Sequence, residues 1–498
     1  MLPNPPAAAP FASILVANRG EIAVRIIRAA RELGLRSIAV YSDADRRSAH
    51  VFAADEAYRL GASPAAESYL AADRLLEIAR DVEAEAIHPG YGFLSERAGF
   101  ARAVEDAGLV FVGPSSATIS AMGDKTRARA TMAAAGVPVV PGSPGPVADP
   151  DDARSVAEGL GYPLLLKAAA GGGGKGMRVV RDEEEIAIAF EMARREAEGA
   201  FGDGSLFLER YLERPRHIEV QVLGDAHGNI VHLGERECSI QRRHQKLMEE
   251  APAPSLTDDE RGFVHAAALK AARAVEYRSA GTVEFLFERD EFHFLEMNTR
   301  IQVEHPVTEL VSGIDIVTAQ LEVAMGRELE FSQEDVAFAG HAIECRIAAE
   351  DASFLPATGR VRELWVPSGP GTRWDGGIVA GQEVTLHYDS LLGKVIVHAP
   401  DRARAICRME RALDELVVAG VETTTPFHRR LLAHPAFQAG ELSIRFLEEY
   451  PELASGKETD LEPLVALAAV LSERGAVSGV APRLPLREPV RPGWRGRG

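Results

Sequence analysis

Two glutamates in the segment 282–298 are spaced so that a β-hairpin would bring them face to face. The segment reads as two strands joined near Asp290, and symmetric folding places Glu284 opposite Glu296, with Cβ atoms roughly 5 Å apart. Asn298 lies two residues beyond Glu296 and shares its face. Opposed like charges destabilise a sheet unless a cation lies between them, and hard oxygen ligands suit Mg²⁺. The hairpin therefore predicts a magnesium site; the alternative is that an arginine neutralises the pair.

The next segment, Thr-Arg-Ile-Gln-Val-Glu-His-Pro from residue 299, alternates polar and apolar side chains. If it is extended, Arg300, Gln302 and Glu304 point to one side. A cation, an amide and a carboxylate in a row would form a cradle for a small oxyanion together with a base. The alternative interpretation is a solvated edge strand.

The residues at 171–176, Gly-Gly-Gly-Gly-Lys-Gly, satisfy the G-x-G-x-x-G pattern, which alone is weak evidence. Residues 163–169 and 177–180 read as strands, and a helix begins only after Asp182, whereas a dinucleotide fold needs strand, loop and helix. The last glycine is followed by methionine rather than lysine, which excludes a Walker A loop, and no protein-kinase motif follows. At a hairpin tip, bare backbone amides can cover phosphate groups, unless the loop is merely a surface turn.

Lysine is rare in this chain, since only seven of its 55 basic residues are Lys. Where arginine is the default, a lysine can mark a site that needs a compact point charge, although chance placement is the alternative. Lys167 and Lys175 flank the glycine loop, and Lys125 lies in a polar segment. Lys246 ends the basic run 241–246, which is either a solvated turn or a set of contacts to phosphate or another oxyanion. The remaining lysines are Lys270, Lys394 and Lys457.

The elements that must position these side chains begin with a βαβ unit, which packs as a parallel sheet. It comprises a buried strand at 13–18, an amphipathic helix at 21–33 and a strand at 37–41. A further strand is predicted at 109–112, and the Pro- and Gly-rich segment 137–150 is predicted to be a hinge.

Two further regions follow the hinge. Residues 123–330 alternate helices with antiparallel hairpins, an α+β pattern. Short strands, including 341–347 and 395–398, and a helix near 401–418 are predicted beyond residue 340. A last apolar helix is predicted at about 461–473.

Composition excludes several classes of protein. The net charge of −19 and the pI of about 5.3 argue against sequence-independent nucleic-acid binding, which needs a basic field. Three cysteines, Cys238, Cys345 and Cys407, form neither a disulfide framework nor a zinc-ligand pair. No signal peptide and no stretch of roughly 20 apolar residues occurs, so we expect a cytoplasmic protein without a membrane partner.

Several long motifs together resemble one family. They are Ala-Asn-Arg-Gly-Glu-Ile-Ala at 17–23, His-Pro-Gly-Tyr-Gly-Phe-Leu-Ser-Glu at 88–96, Arg-Arg-His-Gln-Lys at 242–246 and Glu-Met-Asn-Thr-Arg-Ile-Gln-Val-Glu-His at 296–305. In this order they resemble the biotin carboxylases of acetyl-, propionyl- and methylcrotonyl-CoA carboxylases and of pyruvate carboxylase, which are ATP-grasp enzymes. The resemblance covers about residues 11–450.

The resemblance implies an α/β and α+β chain of three domains. They are an N-terminal βαβ parallel-sheet domain at 11–122, an ATP-grasp domain at 123–330 with a mobile glycine-rich lid at about 138–211, and a mixed β domain at 340–450. Residues 451–498 would be a tail that either packs back on this chain or docks other subunits. Two residues depart from some family members, Ala170 in place of Gly and Arg210 in place of Lys. In the family this hinge contacts the nucleotide mainly through its backbone, so the resemblance implies that Arg210 changes nucleotide binding little.

The same resemblance assigns site residues by position. ATP would be bound by Lys125, Lys167, Gly173 and Gly174, by the adenine hinge Glu209, Arg210, Tyr211 and Leu212, and by His217, Gln241 and His244. Glu284, Glu296 and Asn298 would hold Mg²⁺ or Mn²⁺, the two glutamates also contacting ATP through the metal. Lys246, Arg300, Gln302 and the Val303 amide would hold bicarbonate. Glu304 would be the general base, and Arg346 would stabilise the biotin enolate.

The implied function is ATP- and bicarbonate-dependent carboxylation of biotin on a separate carrier protein. No Met-Lys-Met biotinylation motif and no carboxyltransferase region occurs in the sequence. We therefore expect two kinds of partner, a biotin carboxyl carrier protein and a carboxyltransferase subunit, in a homodimer or larger complex. The acceptor of the carboxyl group stays open. One alternative is another ATP-grasp ligase, such as a carbamoyl phosphate synthetase domain or a purine-pathway carboxylating enzyme. The other is a non-catalytic ATP-binding regulatory protein.

Overall fold

The computed structural model describes residues 11–168 and 177–454. The first region is a five-stranded parallel sheet in the order β3-β2-β1-β4-β5, as the βαβ start predicts. Its strands are β1 (Ser13–Val16), β2 (Arg36–Ser42), β3 (Glu56–Gly61), β4 (Ala86–His88) and β5 (Val110–Phe111). Its helices are α1 (Gly20–Glu32), α2 (Ala49–Ala53), α3 (Ala72–Asp81), α4 (Ala98–Asp106) and α5 (Ser116–Gly123).

The turn from β1 into α1 brings two of the motifs together. Gly20 has a φ of +67°, a backbone conformation that disfavours other residues, and α1 begins there. Asn18 donates hydrogen bonds of 2.7 Å to the carbonyls of Pro89 and Tyr91. The segment 17–23 is thereby fixed to the segment 88–96.

A small antiparallel sheet follows, in the order β7-β6-β8, with two flanking helices. Lys167 pairs with Met177, which confirms that the glycine loop connects two strands, while residues 169–176 themselves, including Gly173, Gly174 and Lys175, lie outside the described residues. The predicted hinge crosses between sheets, because Val139 bridges to Phe294 and Gly142 to Glu209. The elements are α6 (Lys125–Ala134), α7 (Pro150–Leu160), β6 (Leu164–Ala168), β7 (Met177–Val180), α8 (Ile186–Phe201) and β8 (Leu206–Arg210).

The largest element is an eight-stranded sheet in the order β13-β12-β9-β10-β11-β14-β19-β17. Strands from before residue 300 and from after residue 340 form this sheet together, so the site can draw side chains from both regions. The strands from before residue 300 are β9 (Arg216–Gly224), β10 (Ile230–Arg242), β11 (Gln245–Ala251), β12 (Ser279–Glu288) and β13 (Glu291–Asn298). The helices of the region 258–324 are α9 (Asp258–Ala274), α10 (His305–Ser312) and α11 (Ile316–Ala324).

The last described region contains the predicted strands and helix, each within a few residues of its expected bounds. Its strands are β14 (His341–Ala348), β15 (Gly359–Arg360), β16 (Glu363–Trp365), β17 (Thr372–Gly376), β18 (Glu383–Val384), β19 (Leu391–Ala399) and β20 (Val417–Ala419). Its helices are α12 (Arg402–Glu415), α13 (Thr425–Ala433), α14 (Pro435–Ala439) and α15 (Phe446–Glu449). The helix predicted at 461–473 lies outside the described residues. Among the helices that are described, none combines the length and hydropathy of a bilayer span.

Candidate active site

The two hairpin glutamates face each other as predicted. Glu284 on β12 pairs with Glu296 on β13, and on its other side it pairs with Glu219 on β9. Three carboxylates therefore lie in one row across the sheet. Burial and the facing Glu284 raise the pKa of the Glu296 carboxyl, which is the electrostatic cost of opposed carboxylates.

The neutralising charges come from lysine and histidine, so the alternative of an arginine between the pair is wrong. Lys246 Nζ lies 3.0 Å from Glu284 Oε1, and His217 Nε2 lies 3.0 Å from Glu284 Oε2. Burial would raise the pKa of Glu284, but Lys246 and His217 outweigh burial and hold it well below its ordinary value. Lys125 Nζ is 3.8 Å from Glu296 Oε2.

The donor set fits a hard divalent cation. Glu284 and Glu296 offer carboxylate oxygens from adjacent strands, and the Glu296 carboxylate has only the long contact to Lys125 among the ion pairs of the described residues. Asn298 is on the same face, as predicted, and its Nδ2 donates to Glu284 Oε1 at 2.8 Å. Its Oδ1 accepts from Arg300, so Asn298 would have to change partners to become a ligand.

The segment 299–304 is a loop that leads into α10, so the prediction of an extended strand is wrong. No other strand pairs with it in the described sheets, and a turn at Val303 and Glu304 starts the helix. Ile301 is nevertheless buried in the N-terminal core, and Gln302 and Glu304 reach the carboxylate row. The alternative of a solvated edge strand is also wrong.

Glu304 lies between two cations. Its Oε1 accepts from Lys246 Nζ at 2.6 Å and its Oε2 accepts from Arg346 Nη2 at 2.9 Å. Burial would raise the pKa of Glu304, but Lys246 and then Arg346 hold it well below its ordinary value. The carboxylate is therefore ionised at neutral pH, and it is buried beside Lys246, which also contacts Glu284. Arg346, on β14, is held from its other side by Glu249, whose Oε1 is 2.6 Å from its Nε.

Arg300 is oriented by the N-terminal region. Its Nε donates to Glu96 Oε2 at 2.9 Å, and the Thr299 amide donates to Glu96 Oε1 at 3.3 Å. Glu96 was absent from the predicted site, although it closes the motif 88–96. The motif therefore contained the signal, but no spacing rule connects residue 96 with residue 300.

The basic run 241–246 is part turn and part site. Arg243 and His244 adopt left-handed φ values of 49° and 66° at the tip between β10 and β11, where both are exposed. Gln241 is buried near the end of β10, and the Lys246 ammonium contacts the three carboxylates Glu219, Glu284 and Glu304. The solvated turn is therefore confirmed for Arg243 and His244, while contacts of Gln241 and Lys246 to phosphate or another oxyanion stay a prediction.

The predicted adenine hinge comprises the last two residues of β8, an edge strand of the small sheet, and the two residues after it. Glu209 Oε2 lies 2.6 Å from Lys167 Nζ, and Glu209 also pairs with Arg129. Arg210, Tyr211 and Leu212 line a cavity of about 300 Å³, which Tyr162 in the bend before β6 and His293 on β13 also line.

Arg236 is the largest omission from the predicted site. It is fully buried, and its Nε donates to Glu219 at 2.6 Å while an Nη donates to Gln302 at 2.7 Å. Glu219 was also missed, although it lies two residues after His217 on β9 and so shares its face. That period-two relation could have found Glu219; nothing in the pattern of β10 singles out Arg236.

Three protein-family models match consecutive parts of this chain. Residues 10–119 match the family model "Biotin carboxylase, N-terminal domain", residues 124–332 match "Carbamoyl-phosphate synthase L chain, ATP binding domain", and residues 344–449 match "Biotin carboxylase C-terminal domain". The chain is 51% identical to biotin carboxylase 1 of Bacillus subtilis over 89% of this chain and 99% of that protein. It is 50% identical to the biotin carboxylase of Pseudomonas aeruginosa over 88% of this chain and 98% of that protein.

A solved structure gives the same result. The biotin carboxylase domain dimer of Hydrogenobacter thermophilus 2-oxoglutarate carboxylase, in complex with MgADP, ADP and bicarbonate, superposes with a TM-score of 0.82. It is 49% identical, and the match covers 90% of this chain and 99% of that chain.

The small antiparallel sheet, the large sheet and the opposed carboxylates beside two lysines are those of an ATP-grasp ligase. The central match is to a carbamoyl-phosphate synthase model, and biotin carboxylase models match on both sides of it. The chain belongs to the biotin carboxylase family.

Proposed function

We propose that this chain carboxylates biotin carried on a separate protein, using ATP and bicarbonate, as the first half-reaction of an acyl-CoA or keto-acid carboxylase. The observation that carries the proposal is the position of Glu304. Its carboxylate is buried between Lys246 and Arg346, and Lys246 also contacts the metal-binding Glu284. A base, an anion-binding cation and a metal ligand thus meet at one point.

Bicarbonate would lie among Lys246, Arg300, Gln302 and the Val303 amide. Lys246 now neutralises three carboxylates, so it can exchange one of them for the substrate anion without losing its charge partner. Gln302 is held by Arg236 and Glu284, which keeps its amide rigid. The Hydrogenobacter domain is described in complex with bicarbonate, which supports bicarbonate as the substrate anion.

The phosphoryl transfer would take place beside two lysines, Lys125 and Lys167, and the two hairpin glutamates. Mg²⁺, held by Glu284, Glu296 and, after its amide turns, Asn298, would neutralise charge on the phosphates of ATP. Lys125 and Lys167 supply further positive charge, and the loop with Gly173 and Gly174 would cover the phosphates. The hinge Glu209 to Leu212, with His217, Gln241 and His244, would hold the nucleoside.

The remaining steps assign a role to Glu304 and Arg346. An oxygen of bicarbonate attacks the γ-phosphorus and ADP leaves, which gives carboxyphosphate, while Glu304 takes the bicarbonate proton. The C–O bond between the carboxyl carbon and the phosphate oxygen of carboxyphosphate then breaks, which releases CO₂ and inorganic phosphate beside biotin, and this phosphate accepts the proton of the ureido nitrogen. Arg346 would stabilise the ureido oxygen once biotin has lost its proton, so that its nitrogen can attack CO₂.

The direct test is ATP hydrolysis with bicarbonate, with and without free biotin. We expect ADP formation to depend on bicarbonate and to rise when biotin is added. ADP formation that ignores biotin would point to another ATP-grasp ligase. No turnover at saturating ATP, bicarbonate and biotin would point to a non-catalytic ATP-binding protein.

The metal site gives a second prediction. Glu284→Gln and Glu296→Gln each remove one anionic oxygen ligand, so we expect each to raise the Mg²⁺ concentration at half-maximal activity about tenfold or more. Glu276→Gln is the matched control, because Glu276 is exposed in the turn that precedes β12. An unchanged Mg²⁺ requirement in both site variants would contradict the assignment.

The proposed partners are a second copy of the chain, a biotin carboxyl carrier protein and a carboxyltransferase. The Hydrogenobacter domain is described as a dimer, which supports a dimer or larger complex for this chain. We propose residues 455–498 as a docking segment for these partners.

Truncation tests the docking segment. The cut belongs after Ala454, because Leu453 is buried in the core and its carbonyl accepts from Arg430. We expect the protein lacking residues 455–498 to keep its rate with free biotin but to co-purify less with the carrier and the transferase. Loss of ATP turnover in the truncated protein would assign the segment to the catalytic core instead.

A further inference from the structure

Lys394 is a fully buried lysine that the proposed mechanism leaves without a role. It lies on β19, opposite Arg346 on β14 and Asp375 on β17. It is one of only seven lysines in the chain. A buried ammonium is costly unless it is paired and hydrogen-bonded, so its retention needs a reason.

The charges around Lys394 come from separate regions. Its Nζ lies 3.3 Å from Glu21 Oε1 on α1 and 3.9 Å from Glu344 Oε1 on β14. Burial opposes the charge, but Glu21, Glu344 and Asp375 outweigh it and raise the pKa of Lys394 above its ordinary value. Glu21 is itself held by the Tyr91 hydroxyl at 2.5 Å.

The backbone of α1 lies very close to the residue that follows β17. A Cβ added to Gly377, just after β17, would lie 2.5 Å from the Glu21 amide nitrogen. A side chain at this position would push α1, and with it Glu21, away from Lys394. The N-terminal helix is therefore part of the environment that keeps Lys394 charged.

The Lys394 ammonium also donates a hydrogen bond to the backbone carbonyl of Val303. The preceding carbonyl, that of Gln302, lies 2.8 Å from His305 Nδ1. Burial and then Lys394 hold the pKa of His305 well below its ordinary value, so the ring is neutral and its Nδ1–H is the donor. Two successive carbonyls of the loop 299–304 are thus bound from the side of the protein core.

The two hydrogen bonds to these carbonyls fix the direction of the Val303 amide. The carbonyl and the amide of one trans peptide point in opposite directions. With the Gln302 carbonyl held by His305, the Val303 amide in the same peptide must point away from His305. With the Val303 carbonyl held by Lys394, the backbone of Glu304 is fixed as well.

We propose that Lys394 is a positioning residue, which together with His305 aims the Val303 amide and Glu304 at the bicarbonate. This inference rests on the proposed function, because it concerns the bicarbonate subsite. The positioning role also gives a reason why α1, β14 and β17 lie close to the loop 299–304. Their carboxylates, Glu21, Glu344 and Asp375, keep Lys394 charged.

The test separates bicarbonate binding from ATP binding. We expect Lys394→Met to raise the KM for bicarbonate about tenfold or more, because the Val303 carbonyl loses a hydrogen bond from a charged donor. The KM for ATP should stay within about twofold of wild type, because the partners of Lys394, which are Glu21, Glu344 and the Val303 carbonyl, are not among the proposed ATP-binding residues. Lys270→Met is the matched control, because Lys270 is exposed on α9. Circular dichroism and a thermal melt report whether each variant folds.

A second pair of variants decides the question if Lys394→Met does not fold. His305→Asn keeps a side-chain N–H close to the position of Nδ1, whereas His305→Leu removes it. We expect only the Leu variant to raise the KM for bicarbonate. Wild-type turnover without any biotin dependence would refute the proposed function itself. If wild-type turnover depends on biotin, two results would overturn the positioning role. One is an unchanged KM for bicarbonate in Lys394→Met. The other is an equal KM for bicarbonate in His305→Asn and His305→Leu.

Discussion

We expect Glu304→Gln to lower the rate of biotin carboxylation by about 10²–10⁴-fold, the usual range for loss of a general base. Glutamine keeps the shape of the side chain, and its amide oxygen can still accept from Lys246 or Arg346. It cannot take up a proton. Nucleotide binding should persist, because neither Lys246 nor Arg346 loses its carboxylate partners Glu219 and Glu249. The measurements are the steady-state rate with free biotin and the dissociation constant of ADP by calorimetry.

The control for Glu304→Gln is the same change at Glu363, an exposed residue of β16. We expect wild-type rates there. A Glu304→Gln enzyme that turns over at the wild-type rate would remove Glu304 from the mechanism. An enzyme that instead loses ADP binding would show that Glu304 acts by fixing Lys246 rather than as a base.

The hairpin with Glu284 and Glu296 shows how far pattern reasoning extends. Symmetric folding about Asp290 predicts the observed pairing, yet the turn is centred half a residue earlier, since Glu288 pairs with Glu291. That register alone would set Glu284 opposite Leu295. A β-bulge between Glu284 and Phe285 restores the predicted pairing, and Leu295 is left 43% exposed. The prediction was confirmed, but the sequence pattern did not reveal the bulge.

The loop 299–304 shows the opposite case. Alternation of polar and apolar residues predicts a strand, but a strand needs a partner, and the loop instead bonds to residues far away in sequence. Gln302 contacts Arg236, and Val303 contacts Lys394. Local patterns identify which side chains are polar. The cations that bind this loop come from β10 and β19. The packing of these strands against the loop cannot be read from the spacing of residues within it.

The largest expected loss of stability concerns Arg236. Its guanidinium donates five hydrogen bonds, the full capacity of the group, and joins β9, β12, α10 and the loop. The acceptors are Glu219, Gln221, Thr282, Gln302 and Thr308. Burial would lower the pKa of Arg236, but Glu219 and Glu304 outweigh burial and raise it, so the charge persists. Arg236→Met fills much of the same space but removes the donor from all five acceptors in the core, while Glu219 keeps its pair with Lys246.

We therefore expect Arg236→Met to reduce the free energy of unfolding by about 3–5 kcal/mol, the cost of removing one partner from a buried ion pair. Urea unfolding followed by tryptophan fluorescence measures it. Arg289→Met is the matched control, because 74% of the Arg289 side chain is exposed and its pair with Glu213 should contribute less than about 1 kcal/mol. Arg236→Lys restores the charge without the planar fork of donors, so we expect it to recover part of the loss. If Arg236→Met unfolds at the same urea concentration as Arg289→Met, then Glu219 and its neighbours are satisfied by Lys246 and water, and Arg236 does not hold the site together.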